Sequence, residues 1–132
     1  MSRAYQRKTT SVFLLNYHLI WIPKYRRKVL VGKVRQRLIE LIKEVCERKQ
    51  WDIIALEVMP DHLHIFLGAN PSTSVETIVK YLKGYTSFRL RQEFPHLARM
   101  KSLWTRSYFV STAGNVSGVT IERYIAEQRK HG

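Results

Sequence analysis

The stretch WDIIALEVMPDHLHIFLG, residues 51–68, decides the fold. It contains two apolar runs rich in β-branched and aromatic residues, joined at Pro60 and Asp61. Two such runs across so short a link predict a hairpin. Along a strand, side chains alternate between faces. His62, His64 and Phe66 therefore share one face, and Leu63, Ile65 and Leu67 share the other. The leucine-isoleucine face calls for a layer of helices. The opposite face carries two imidazoles, which an aliphatic core does not use.

Upstream, SVFLLNYHLIWIP predicts a strand over about 11–22, ended by Pro23, and KYRRK follows as a basic loop. From Gly32 the period becomes helical. Val34, Leu38, Leu41, Ile42 and Val45 fall on one stripe, which predicts a helix to about Lys49. Downstream, NPSTSVETIVKYLKGYTSFRLRQEF reads as a second helix. Thr73 and Glu76 have the spacing of a capping box, and Pro95 closes the segment. LWTRSYFVST reads as a fourth strand, AGNVSG as a linker and VTIERYIAEQRKHG as a short C-terminal helix. The order β-α-β-β-α-β plus a helix implies an α+β fold, a ferredoxin-like or RRM-like split β-α-β antiparallel sheet with helices on one face. The first ten residues read as a loose basic arm, and a single domain is expected over 1–132.

Lys and Arg number 23 against 10 Asp and Glu, a formal net charge of +13. That excess favours a polyanionic partner, nucleic acid or an anionic membrane surface, over an inert basic exterior. No apolar run reaches membrane-spanning length, and no signal peptide precedes the first strand. Cys46 is the single cysteine, so no intrachain disulfide forms, as suits a cytoplasmic protein. No phosphate-binding loop of the GxxxxGK[ST] type occurs. Chemistry on nucleic acid would proceed without ATP.

His62 and His64 are close enough to hold one cation, or are two exposed strand histidines; the HxH pattern alone does not choose. Tyr124 and Gln128 stand four apart on one face of the last helix, flanked by Ile121 and Ile125, which can pin the helix to the sheet. They are a functional pair or simply an amphipathic face. Lys24, Arg26, Arg27 and Lys33 cluster after the first strand, and Lys80, Lys83 and Arg91 recur on the second helix. These residues suit DNA phosphates or form a solvated face. Tyr85, Phe88 and Trp104 suit base stacking or the core.

PDHLHIFL together with RSYFVSTAGNVSGVTIERYIAEQ resembles the single-tyrosine HUH transposases of the IS200/IS605 insertion-sequence family, and YHLIWIPKYRRKVL resembles their opening strand and basic loop. The resemblance implies His62 and His64 as metal ligands, Gln128 as the third, and Mg²⁺ or Mn²⁺ as the cofactor. It makes Tyr124 the nucleophile that cleaves and rejoins single-stranded DNA through a 5′-phosphotyrosine. It also implies recognition of DNA hairpins by a homodimer whose tyrosine helices are exchanged about a hinge at Gly114 and Gly118. The group that deprotonates Tyr124 is left open between the metal and a nearby Lys or Arg. A repeat-associated domesticated relative would share the mechanism. A non-catalytic RRM-like RNA-binding module would place aromatics where DHLHIFL has histidines.

Overall fold

The computed structural model describes residues 14–112 and 123–127. Strand β1 spans Leu15–Trp21 and is followed by a tight turn at Lys24–Arg26. Helix α1 (Gly32–Lys49) leads into the hairpin of β2 (Asp52–Met59) and β3 (His62–Ala69). Helix α2 (Val75–Glu93), a single turn α3 (Pro95–Ala98) and β4 (Phe109–Ser111) complete the order. The four strands lie as β2-β3-β1-β4, and every neighbouring pair is antiparallel. This is the split β-α-β sheet that the sequence predicts.

The leucine-isoleucine face is the main core. Leu19 and Trp21 of β1 and Leu63, Ile65 and Leu67 of β3 are fully buried with Leu38, Leu41 and Ile42 of α1 and Ile78 and Leu82 of α2. Burying each such side chain contributes about 1.5–3 kcal/mol before entropy is counted. α1 ends where Gln50 adopts a left-handed conformation (φ 60°) and its N–H bonds back to the last turn.

The start of α2 differs from the expected capping box at Thr73. Ser74 is the N-cap, and its hydroxyl accepts from the Thr77 N–H at 3.1 Å. The fourth strand is also shorter than LWTRSYFVST suggests. Only Phe109–Ser111 pair with β1. Trp104 is bridged to Pro23 and buried edge-on to Trp21, with its indole N–H donated to Thr86 at 3.1 Å. That anchor sets residues 103–108 apart from the ladder.

Ile20 points away from α1 and α2 by alternation, yet it is fully buried. Residues 123–127 are helical, Ile125 is buried, and the Tyr124 ring meets Phe109 at 5.9 Å. Phe109 pairs with Ile20, so this segment lies over the β1–β4 side of the sheet's second face. Gly114, Gly118 and Gln128 lie outside the described residues. Among the described residues, no helix is long and apolar enough to cross a membrane.

Candidate active site

The second sheet face is assembled by register. His64 stands opposite Ile20, and His18 stands opposite Phe66. The His18 ring stacks on Phe66 at 4.1 Å between centroids, 6° from parallel. His18, His64 and His62 are thus brought to one face, and β4 adds Phe109 and Ser111 beside them.

His62 is oriented by a charged chain. Its Nδ1 lies 2.9 Å from one oxygen of Asp61, and the other oxygen accepts from Arg26 Nε at 2.7 Å. Burial pushes the Asp61 carboxyl up, but the hydrogen bonds from His62 and Arg26 outweigh it and hold the pKa below the ordinary value. An ionised Asp61 only accepts, so His62 donates to it from Nδ1 and turns Nε2 away from this contact. A carboxylate behind a histidine is the arrangement that fixes metal-binding imidazoles.

His64 is held from two sides. Its Nε2 lies 2.9 Å from His18 Nδ1, and its Nδ1 lies 3.7 Å from the exposed carboxylate of Glu57. Burial lowers its pKa first and the neighbouring His18 lowers it further, against a smaller upward pull from Glu57. The ring is therefore kept neutral, the form that ligates metals. The donor set fits a hard or borderline divalent cation as a partial site: two imidazoles on one strand face, His62 aimed by a carboxylate and His64 kept neutral by burial. Among the described residues no three His, Cys, Asp or Glu side chains converge, so the pair needs a further donor.

Tyr124 is half-buried over Phe109, and its hydroxyl is screened from solvent without a hydrogen bond of ordinary geometry. Burial raises its pKa; the nearby Ser107 and Thr105 hydroxyls offset part of that rise. Lys83 reaches the same corner from α2. Its ammonium donates to the carbonyls of Thr105 at 2.5 Å and Ser107 at 3.1 Å, and burial lowers its pKa to about 8.

The basic residues of the sequence separate into different roles. Lys24 and Arg27 flank the exposed Tyr25 ring, 5.7 and 5.9 Å from its centroid. Arg26 is turned to Asp61. Lys80, Lys83 and Arg91 do not form a single solvated stripe. Lys80 is exposed, Lys83 is half-buried on its two carbonyls, and Arg91 Nη2 donates to Met100 O at 2.7 Å, tying α2 to the turn after α3. Of the stacking residues, Trp104 is core and Phe88 is exposed.

Sequence reasoning missed His18, Asp61 and Glu57. Asp61 was legible as the residue before the first histidine. His18 and Glu57 depend on strand pairings that no local pattern states.

A split β-α-β sheet with two strand histidines and a tyrosine segment on its second face has the architecture of a tyrosine transposase. Comparison with known proteins agrees, and the chain belongs to the IS200-like transposase family, whose model matches residues 11–128. It is 37% identical over 120 residues to the ISDra2 transposase TnpA of Deinococcus radiodurans, covering 89% of this chain and 86% of that protein. It is 35% identical over 115 residues to the transposase for insertion sequence element IS200 of Salmonella typhimurium, covering 85% and 75%. A crystal structure of a transposase candidate from Deinococcus radiodurans superposes with a TM-score of 0.82 at 38% identity, covering 92% of this chain and 96% of that one. The REP-associated tyrosine transposase, solved bound to a REP hairpin, shares the fold with a TM-score of 0.58 at 16% identity, over 95% of this chain and 74% of that one.

Proposed function

We propose that this transposase cleaves and rejoins single-stranded DNA at insertion-sequence ends through a covalent 5′-phosphotyrosine on Tyr124, assisted by Mg²⁺ or Mn²⁺. The observation that supports the reading is a sheet face that carries the His62–His64 pair and, on its β4 side, Phe109 with the Tyr124 ring against it. His62, His64 and Gln128 would hold the cation, which polarises the scissile phosphate when bound. The Tyr124 oxygen attacks phosphorus, losing its proton; the bond from phosphorus to the 3′ oxygen breaks, and that oxygen leaves as a 3′-hydroxyl. A second 3′-hydroxyl then attacks the phosphotyrosine, restoring a phosphodiester and the tyrosine. Bond energy is retained throughout, so no nucleotide is hydrolysed. The raised pKa of Tyr124 means the phenolic proton needs a local acceptor or a stabilising charge.

Hairpin recognition by a homodimer belongs to the same reading, with tyrosine helices exchanged through Gly114 and Gly118. The likeness to the REP-associated enzyme is one of fold, while identities of 35–37% are to insertion-sequence transposases, which favours the mobile element over a domesticated role.

Labelled single-stranded hairpin DNA on denaturing gels tests the chemistry. The wild type should form a covalent adduct with Mg²⁺ or Mn²⁺ and none with EDTA. Tyr124→Phe should bind DNA and form none. An adduct in the Phe variant would remove Tyr124 as nucleophile, and no adduct in the wild type would favour a binding module. Mixing His64→Ala with Tyr124→Phe tests exchange: one complete site forms in a mixed dimer with exchanged helices, and none forms otherwise.

A further inference from the structure

The turn after β1 carries an unusual backbone. Tyr25 (φ 59°, ψ 21°) and Arg26 (φ 54°) are successive non-glycine residues in the left-handed region. Side chains other than glycine, asparagine and aspartate rarely adopt it, and such strain gathers at functional sites. Here it lifts the Tyr25 ring into solvent at 64% exposure, between the cations of Lys24 and Arg27. An exposed, strained tyrosine adds nothing to the core.

Its surroundings point to a ligand. Tyr25 stands in the wall of a cleft of about 1010 Å³ formed by this turn, the middle of α2 and residues 96–106. Lys24, Arg27, Lys83, Arg99, Lys101 and Arg106 line it, and among the described residues no Asp or Glu does. Tyr25 also borders a smaller hollow of about 290 Å³ that ends at Asp61, the carboxylate behind His62. The ring therefore stands between the basic trough and a hollow that reaches the carboxylate held by His62.

We propose that this cleft binds the backbone of single-stranded DNA and that Tyr25 stacks on one unpaired base, marking where the strand turns from the trough towards the histidines. The chemistry matches: cations track phosphates, and an aromatic face accepts any base. The cation pair around the ring also suits an electron-rich base stack flanked by phosphates. The inference rests on the reading of the chain as an enzyme of single-stranded DNA, and it names that site's strand-holding surface.

Binding of fluorescein-labelled oligothymidine by the full chain, without metal, tests it. Tyr25→Leu should weaken binding at least about fivefold, and Tyr25→Phe should stay within about twofold of wild type. A base-free oligomer of equal length should bind wild type and Tyr25→Leu alike. Tyr25→Gly should lose binding as Leu does while keeping or raising the melting temperature, because glycine adopts φ 59° without strain. Equal oligothymidine binding by the Leu and Phe variants would overturn the stacking role. So would wild-type protein that forms the Tyr124 adduct yet shows no oligothymidine binding. Binding with the expected Tyr25 dependence in a protein that forms no adduct would leave the stacking site standing and strike the strand-transfer reading instead.

Discussion

The two faces of one sheet follow opposite rules. Towards α1 and α2, β1 and β3 present Leu19, Trp21, Leu63, Ile65 and Leu67, all fully buried and apolar. Towards the other side the same strands present His18, Ile20, His62, His64 and Phe66. The first face gains from burial alone. The second places His62 and His64 in partial burial beside the buried His18, where hydrogen bonds orient the rings and burial lowers the pKa of His64. The difference teaches where to look for function on this fold: not at the most buried positions, but at the polar residues one step along the same strand.

The sharpest way to break this contrast is to truncate neighbours on β3. Ile65→Ala should cost about 2–5 kcal/mol in urea unfolding, whereas His64→Ala should cost about 1 kcal/mol, the worth of a hydrogen bond. Equal losses would mean that the histidine face is core as well.

Lys83 crosses between the layers and sharpens the comparison by pH. Its folded pKa of about 8 lies below the ordinary 10.5. Between those values the unfolded chain binds more protons than the folded one, so stability should rise with pH through this window. Lys83→Met should flatten that rise when melting temperature is followed from pH 7 to 11. A slope unchanged in the Met variant would place the effect elsewhere.

Asp61 works in the opposite sense. Its folded pKa is lowered, so its contribution is full above the ordinary carboxylate range and disappears as pH falls through the folded value. Asp61→Asn should cost about 1 kcal/mol at neutral pH, since charge-assisted bonds are roughly twice as strong as neutral ones, and less in acid. A cost that does not shrink as pH falls would deny the Arg26–Asp61–His62 chain its charge.

The smallest expected effect concerns His18. It engages His64 Nε2, the nitrogen a cation beside His62 would also use. His18→Phe keeps a ring against Phe66 and removes the competitor. Mn²⁺ should then bind several-fold more tightly by calorimetry, the worth of about one hydrogen bond. Weaker binding would make His18 a support of the metal site.

Much of this was legible in the sequence. The 3.6-residue stripe from Val34 to Val45 and the period-two alternation of His62 to Leu67 are local patterns, and α1 and the β2–β3 hairpin follow them closely. The histidine pair and its facing direction came from the same alternation. β4 was overextended because β-propensity in LWTRSYFVST cannot reveal that Trp104 is captured by Trp21 and Thr86. The helix cap slipped from Thr73 to Ser74 because both residues fit the same local chemistry. The even basic stripe of α2 dissolved because the fates of Lys83 and Arg91 depend on carbonyls from residues 98–107. His18 stayed invisible because its partner lies 46 residues away.

The alternation of β3 also limits how this protein can change by insertion and deletion. The strand behaves as a reading frame of two. A slip of β3 by one residue against its neighbours would exchange its faces, driving both imidazoles into the aliphatic core and turning Leu63 and Ile65 outward. A residue gained at the Pro60–Asp61 link is absorbed by the loop and leaves that frame untouched. Length changes among descendants of this gene should therefore be filtered by parity inside β3, with odd changes there purged for folding before catalysis is ever tested, and tolerated at the link.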